Sequence, residues 1–473
     1  MVAIDEGTAR DSYGIDRRPV VWFEVEDFLR YFDHFPNPTG SQRVPFEIFV
    51  EASKLYGRQG RVRFCRLSVY TKRLMPIEFD TVISAYVNPP GVGAPWKTVW
   101  GPAELLTAFG PLATVISRNP RFFLGLSKTA VRDMVDTAVR PRRFSQLARP
   151  GDIVISPGAA WALPGYAKHM AAAKARYGIR LAVFIHDMIP VENAALVERR
   201  HAIQFRKWLQ ETLPIADGIL AVSKHSRNAL IEFAAAAGWT VPRIEVVRLG
   251  GGFSPRPIVA GPSKICLPRP YVLFVSTIEI RKNHRLLVRL WRLLIARHGA
   301  DAVPILIFAG QIGWMVDDLL ADLAASGYLG GKIEHRPRLS DEELAEAYRG
   351  CLFTIFPSLC EGWGLPIAES LAHGKFCVAS NRTSIPEVGA DLIDYFDPSD
   401  DDDVLAKVER VLFEPGYLAA REAQVLAEYR PSTWADCAHS VVLNLDPQAP
   451  DPKGSSAGDA HERITSAQPA RNP

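Results

Sequence analysis

The chain has no run of about 18 uncharged apolar residues, the length a helix needs to cross a bilayer, so no spanning helix is expected. Its opening, Met1-Val-Ala-Ile-Asp-Glu-Gly, lacks a basic stretch leading into an apolar one, and no secretory signal is expected either. An excess of one charge is also missing. A formal net charge of +3 gives no electrostatic case for a nucleic-acid partner. The six cysteines (65, 266, 351, 360, 377, 437) lack the spacing of metal ligands. Cys351, Cys360 and Cys377 lie in or beside apolar runs and read as buried thiols. A cytoplasmic, reducing location is the default that follows. What is present is ordinary for a soluble globular protein. Hydrophobic residues make 48% and charged residues 23% of 473, enough for two or three domains with large cores.

Residues 1–18 are polar and read as a disordered N-terminus. From Val20 onward, short apolar runs alternate with helical patterns. Strands are predicted at 20–25, 62–69, 153–156, 181–185, 218–222 and 244–247, with helices at 47–56, 167–177, 200–213 and 226–237. Between Leu249 and Pro270 the alternation lapses into Gly250-Gly-Gly252 and five prolines, a linker composition. A second series follows, with strands at 271–276, 304–309, 332–335, 352–356, 376–380 and 392–396. Its helices are predicted at 286–297, 341–349 and 366–373. Alternation of this kind argues for parallel sheets covered on both faces. The fold class expected is therefore α/β, with two Rossmann-like doubly wound domains at 19–254 and 255–430. Asp400-Asp-Asp-Asp403 suits the N-terminus of a helix at 404–413. A last helix is expected within 431–446, and 447–473 reads as a disordered tail. Residues 95–149 form an arginine-rich helical insertion with Phe122-Phe-Leu124 among the charges. Two readings of it stay open: contact with an anionic membrane face, or an extra helical layer with a solvated side.

Glu361 and Glu369, with seven residues between them, carry the most information. They stand in Phe356-Pro-Ser-Leu-Cys-Glu361-Gly-Trp-Gly-Leu-Pro366-Ile-Ala-Glu369, which reads as strand, Gly-rich loop and helix. Loop amides and the positive end of such a helix make a seat for an anion. A carboxylate there is unfavourable unless it binds hydroxyls, and a nucleotide sugar offers both a diphosphate and hydroxyls. The spacing resembles the Glu-x7-Glu signature of retaining enzymes of glycosyltransferase family 4. The likeness continues into Ser380-Asn-Arg-Thr-Ser-Ile-Pro386-Glu387-Val-Gly389.

Three other segments share the resemblance. Val275-Ser-Thr277-Ile-Glu-Ile-Arg281-Lys282-Asn-His resembles the family's Gly-Thr-x-Glu-Pro-Arg-Lys-Asn, with Ser276 for glycine and Ile280 for proline. Some branches carry an arginine near Thr277. Its absence here leaves Arg281 and Lys282 to compensate charge on a leaving diphosphate. Phe184-Ile-His186-Asp187-Met-Ile-Pro190 puts a histidine where the family has one, near the donor sugar; Asp187 would orient it or meet the acceptor. Asn37-Pro-Thr-Gly40-Ser-Gln-Arg43-Val resembles a Gly-rich turn that the family carries beside the donor diphosphate or the acceptor, in the branch that builds bacterial surface polysaccharides with mannose- or rhamnose-type sugars. Ser226 reads as a helix N-cap, and Ser340 with Glu343 as a capping box, so that only Arg338 or backbone would meet the nucleobase.

The resemblance implies the GT-B architecture: an acceptor-side first domain, a nucleotide-sugar-binding second domain, and a last helix returning to the first. It implies catalytic roles for His186, Arg281, Lys282 and Glu361. Donor binding falls to Gly40, Arg43, Thr277, Arg338, Gly362, Trp363, Gly364, Leu365 and Glu369, with Glu369 on the ribose and Asp187 on the acceptor side. The reaction implied is transfer of a hexose such as mannose to a glycan or lipid-linked acceptor, at the inner membrane face, by front-face substitution with retention. No Asp-x-Asp metal motif occupies a strand end, so neither metal nor other cofactor is expected. Two alternatives carry over: a nucleotide-sugar epimerase of the same architecture, or a scaffold whose cleft has lost its catalysis.

Overall fold

The computed structural model describes residues 18–35, 38–68, 71–87, 143–251 and 266–447. The readings made for 1–17, for 95–142 of the insertion, for most of the linker and for the tail from 448 lie outside these residues. Among these residues seven strands form the first sheet: β1 (Val21–Glu24), β2 (Val62–Leu67), β3 (Leu74–Ile77), β4 (Ile153–Ser156), β5 (Arg180–Ile185), β6 (Gly218–Ala221) and β7 (Ile244–Val246). Their order is β3-β2-β1-β4-β5-β6-β7. Only β3 runs antiparallel to its neighbour. Side chains alternate along each strand and feed two cores. Val21 and Phe23 join Ile48 and Phe49 of the Gly40–Ala52 helix, whereas Trp22 faces Met170 and Leu209 on the other side.

The second sheet has β8 (Tyr271–Val275), β9 (Ile305–Ala309), β10 (Ile333–Arg336), β11 (Thr354–Phe356), β12 (Cys377–Ser380) and β13 (Asp394–Phe396). All are parallel, in the order β10-β9-β8-β11-β12-β13. Phe274 and Phe308 pack beneath the His284–His298 helix with Trp291, and Tyr271 faces Tyr348 on the opposite side. The expected α/β fold of two doubly wound domains is therefore what the chain adopts. In each sheet the strand order reverses once, between β1 and β4 and between β8 and β11. Ligands of open α/β sheets bind at the carboxyl ends of the strands at such a point.

The strand ends of the two domains face and touch each other. Arg43 reaches Glu369, and the Glu387 carboxylate takes the backbone N–H groups of Lys224 and His225 at 2.7 and 2.8 Å. The Trp434–Leu445 helix crosses back to the first domain, where Trp434, Cys437, Val441 and Val442 join its core. A buried ion pair between Arg61 and Asp446 ties down its far end. No helix among the described residues is long and apolar enough to cross a membrane.

Candidate active site

Two loops meet at the second sheet's reversal point. The first follows β8 and makes a 3-10 turn at Ile280–Lys282; Asn283 then takes a left-handed conformation (φ 57°) before the His284–His298 helix begins. Asparagine tolerates that conformation better than most residues. The turn aims Arg281 and Lys282 at the second loop, which follows β11 and ends at the Leu365–Ala372 helix. There Lys282 Nζ lies 2.5 Å from Glu361 Oε1, and an Arg281 guanidinium nitrogen lies 2.8 Å from Glu361 Oε2. Arg281 also donates to the Cys360 carbonyl at 2.9 Å and pairs with Glu279 at 2.6 Å.

The loop is fixed from behind. The Thr383 hydroxyl accepts the Glu361 N–H at 2.8 Å, and the Ser384 hydroxyl lies 2.9 Å from the Glu361 carbonyl. This is the work of the Ser380–Gly389 segment. Burial pushes the Glu361 carboxyl up, but Arg281 and Lys282 overturn that and hold it down at about 2. Burial and the adjacent Arg281 lower Lys282, with Glu361 opposing them. Two cations and two carboxylates balance, so the cluster is neutral as it stands. Buried pairs of this kind add little net stability, because desolvation offsets their attraction.

Glu369 sits in the first turns of the Leu365–Ala372 helix and is 3% exposed. One oxygen pairs with Arg43 at 2.6 Å; the other accepts from the Tyr348 hydroxyl at 2.8 Å. Gly40 opens the helix that carries Arg43, and a Cβ there would lie 3.9 Å from Leu365. Gly362 meets the first domain directly, since a Cβ on it would fall 2.1 Å from the His186 carbonyl oxygen.

His186 ends β5. Its Nε2 lies 2.7 Å from the Pro157 carbonyl oxygen. A carbonyl only accepts, so Nε2 carries the proton and Nδ1 is left as the acceptor. Burial lowers the pKa of the ring. Asp187 accepts the Ile189 N–H at 3.0 Å, and burial raises its carboxyl, with Arg281 opposing.

The structure thus brings together Gly40, Arg43, His186, Asp187, Arg281, Lys282, Glu361, Gly362 and Glu369. Thr277 stands on the β8 loop, its methyl 2.8 Å from where a Gly313 Cβ would be. Gly364 (φ 129°) and Leu365 begin the helix. Trp363 joins the apolar cluster of the first domain, and its buried indole N–H has no hydrogen-bond partner among the described residues. Arg338 is exposed on the loop after β10, the edge strand of the sheet. Ser223, not Ser226, caps the Lys224–Ala236 helix, because its hydroxyl accepts the Ser226 N–H. The capping boxes expected at Ser340 and the dipole-friendly Asp400 start are both formed. Among the described residues, no group of three or more His, Cys, Asp or Glu could hold a metal ion.

Sequence reasoning missed Tyr348 and Glu279 and gave Glu387 no role. Tyr348 has no local signal, since a helical tyrosine beside Ala347 reads as core.

Residues 262–429 match the family model described as glycosyl transferases group 1. This stretch is similar to that family. The matched segment holds both loops of the cluster, with Arg281, Lys282, Glu361 and Glu369. Relatives include the O-antigen chain mannosyltransferase B of Escherichia coli, 32% identical over 245 residues, which are 50% of this chain and 62% of that protein. The serotype-specific mannosyltransferase WbdA of Escherichia coli is 28% identical over 293 residues, 60% of this chain and 35% of that protein. The chain therefore spans less than two thirds of the length of either relative. A solved structure of an alpha,alpha-trehalose-phosphate synthase (UDP-forming) from Burkholderia vietnamiensis is 15% identical, covers 64% of this chain and 75% of its own, and has a TM-score of 0.49.

Proposed function

We propose that the chain is a retaining, metal-independent glycosyltransferase that moves a hexose from a nucleotide sugar to a glycan or lipid-linked acceptor in surface polysaccharide synthesis. The observation that carries this reading is the convergence of Arg281, Lys282 and Glu361 where the second sheet reverses its strand order. A mannose-type donor is taken from the names of the Escherichia coli relatives. The inner membrane face is where a lipid-linked acceptor would meet it.

The chemistry follows from charge. As the bond from the anomeric carbon to the diphosphate breaks, negative charge grows on the leaving oxygen. Arg281 and Lys282 compensate it. The acceptor oxygen bonds to the anomeric carbon on the same face, and its proton passes to the departing phosphate. Glu361 gives up its hold on the two cations to the diphosphate and turns to sugar hydroxyls. Glu369 takes ribose hydroxyls once Arg43 moves to the phosphates, and the amides of Gly362–Leu365 support the donor. His186 offers Nδ1 to a sugar hydroxyl, and Asp187 faces the acceptor.

The test is donor turnover by Lys282→Ala and Glu369→Ala. Loss of transition-state charge compensation is expected to cost Lys282→Ala on the order of 100-fold in kcat. Wild-type transfer by both variants would show the assignment to be wrong.

A further inference from the structure

The His186 ring is held through Nε2. The Pro157 carbonyl that holds Nε2 belongs to the loop leaving β4. Both neighbours of Pro157 lean on one side chain from elsewhere in the chain, Asp27. Its Oδ2 accepts the Ala159 N–H at 2.5 Å, and its Oδ1 lies 3.5 Å from the Ser156 hydroxyl. Gly158 lies directly against the same carboxylate, since a Cβ there would come within 2.1 Å of Oδ2. No left-handed φ requires that glycine, so the demand is one of close approach alone. The direction of the Pro157 carbonyl is thereby set by a carboxylate that contacts residues on each side of it.

We propose that Asp27 is a positioning residue for transfer: through the Ser156–Ala159 loop it fixes the Pro157 carbonyl, and so the Nε2–H form and orientation of His186. Three further contacts fit. His186 packs edge-on against Phe184 at 5.0 Å, the Ser226 hydroxyl lies 3.4 Å from its carbonyl oxygen, and Gly362 covers that carbonyl. Backbone and ring face are thus held by others, and the ring's proton is held by the loop that Asp27 anchors. Burial raises the Asp27 carboxyl, and the Ala159 N–H opposes it. The relay rests on the proposed role of His186, but its geometry can be read without substrate.

The experiment uses the full chain with 15N-labelled histidine and long-range 1H–15N spectra, the His186 signal being assigned by its loss in His186→Gln. Wild type is expected to show protonated Nε2 and bare Nδ1. Asp27→Ala and Gly158→Ala, checked for folding by circular dichroism, are expected to mix the two neutral forms. Asp27→Asn keeps a carbonyl oxygen for the Ala159 N–H and is expected to restore the wild-type signal. In transfer assays the first two variants lose on the order of ten- to a hundred-fold in kcat, as misplacement of a reacting group does, with donor KM little changed. Asp27→Asn recovers most of it. An unchanged His186 signal in the folded Asp27→Ala or Gly158→Ala protein overturns the relay, and so does a shifted signal with unchanged kcat. If wild type transfers no hexose from any donor, the functional reading fails while the spectra still decide the relay.

Discussion

Glu361 holds Lys282 with one oxygen and Arg281 with the other, and that decides what a ligand must do on arrival. On the proposed reading, a diphosphate would gain the two cations only by displacing a carboxylate, which would make binding an exchange of partners. Glu369 repeats the pattern with Arg43 and Tyr348. Tyr348→Phe leaves one Glu369 oxygen without its donor. A hydrogen bond to a charged group contributes about 1.5–3 kcal/mol, so donor affinity is expected to weaken roughly ten-fold or more by calorimetry, with kcat largely kept. Away from the site, Glu24 is fully buried; burial and then the nearby Asp27 raise its carboxyl to about 8. The folded protein therefore keeps a proton that the unfolded chain releases near 4.5. Stability from this group is complete below that value and is lost as pH rises toward about 8. Glu24→Gln keeps the neutral shape at every pH. Its melting temperature is expected to gain on wild type between about pH 5 and pH 8.5; a constant offset would contradict the shift. At this scale the motif residues were legible because their chemistry is local. Tyr348 and Asp27 were not, because their partners lie 21 and 132 residues away.

Elements were legible where pattern and neighbours agreed. The Trp434–Leu445 helix runs as its sequence predicts, and Thr433 caps it with Asp436. β3 was missed because Pro76 argues against a strand. It survives at the sheet edge, where a missing donor costs no ladder bond. The Glu26–Phe32 helix was missed because it follows β1 after a single residue, Val25, with no side-chain cap. The returning helix makes a sharper prediction. Trp434 is 5% exposed, and Gly250 lies so close that a Cβ there would come within 2.6 Å of it. Trp434→Ala should cost about 3–5 kcal/mol in urea unfolding, the usual range for a buried aromatic removed without refilling. A loss below about 1 kcal/mol would mean that the helix is not part of the first domain's core.

The whole molecule is closed on itself. Arg43 with Glu369, Gly362 with His186, and Glu387 with the Lys224–Ala236 helix all join strand ends across the domains. The two-domain organisation was legible in the lapse of pattern near 250–270. The facing contacts were not, because each joins residues brought near only by the finished fold. Gly362→Ala inserts a methyl 2.1 Å from the His186 carbonyl oxygen. The domains must then part, so a larger radius of gyration in solution scattering is expected, together with loss of transfer. An unchanged radius with full activity would show that the contact does not set the domain spacing. Calorimetry with UDP-, GDP- and dTDP-sugars decides whether Lys282 and Glu369 build a nucleotide-sugar site. Wild type is expected to bind one of these classes, and Lys282→Ala and Glu369→Ala are each expected to lose that binding; no binding by wild type, or unchanged binding by both variants, would rule the site out.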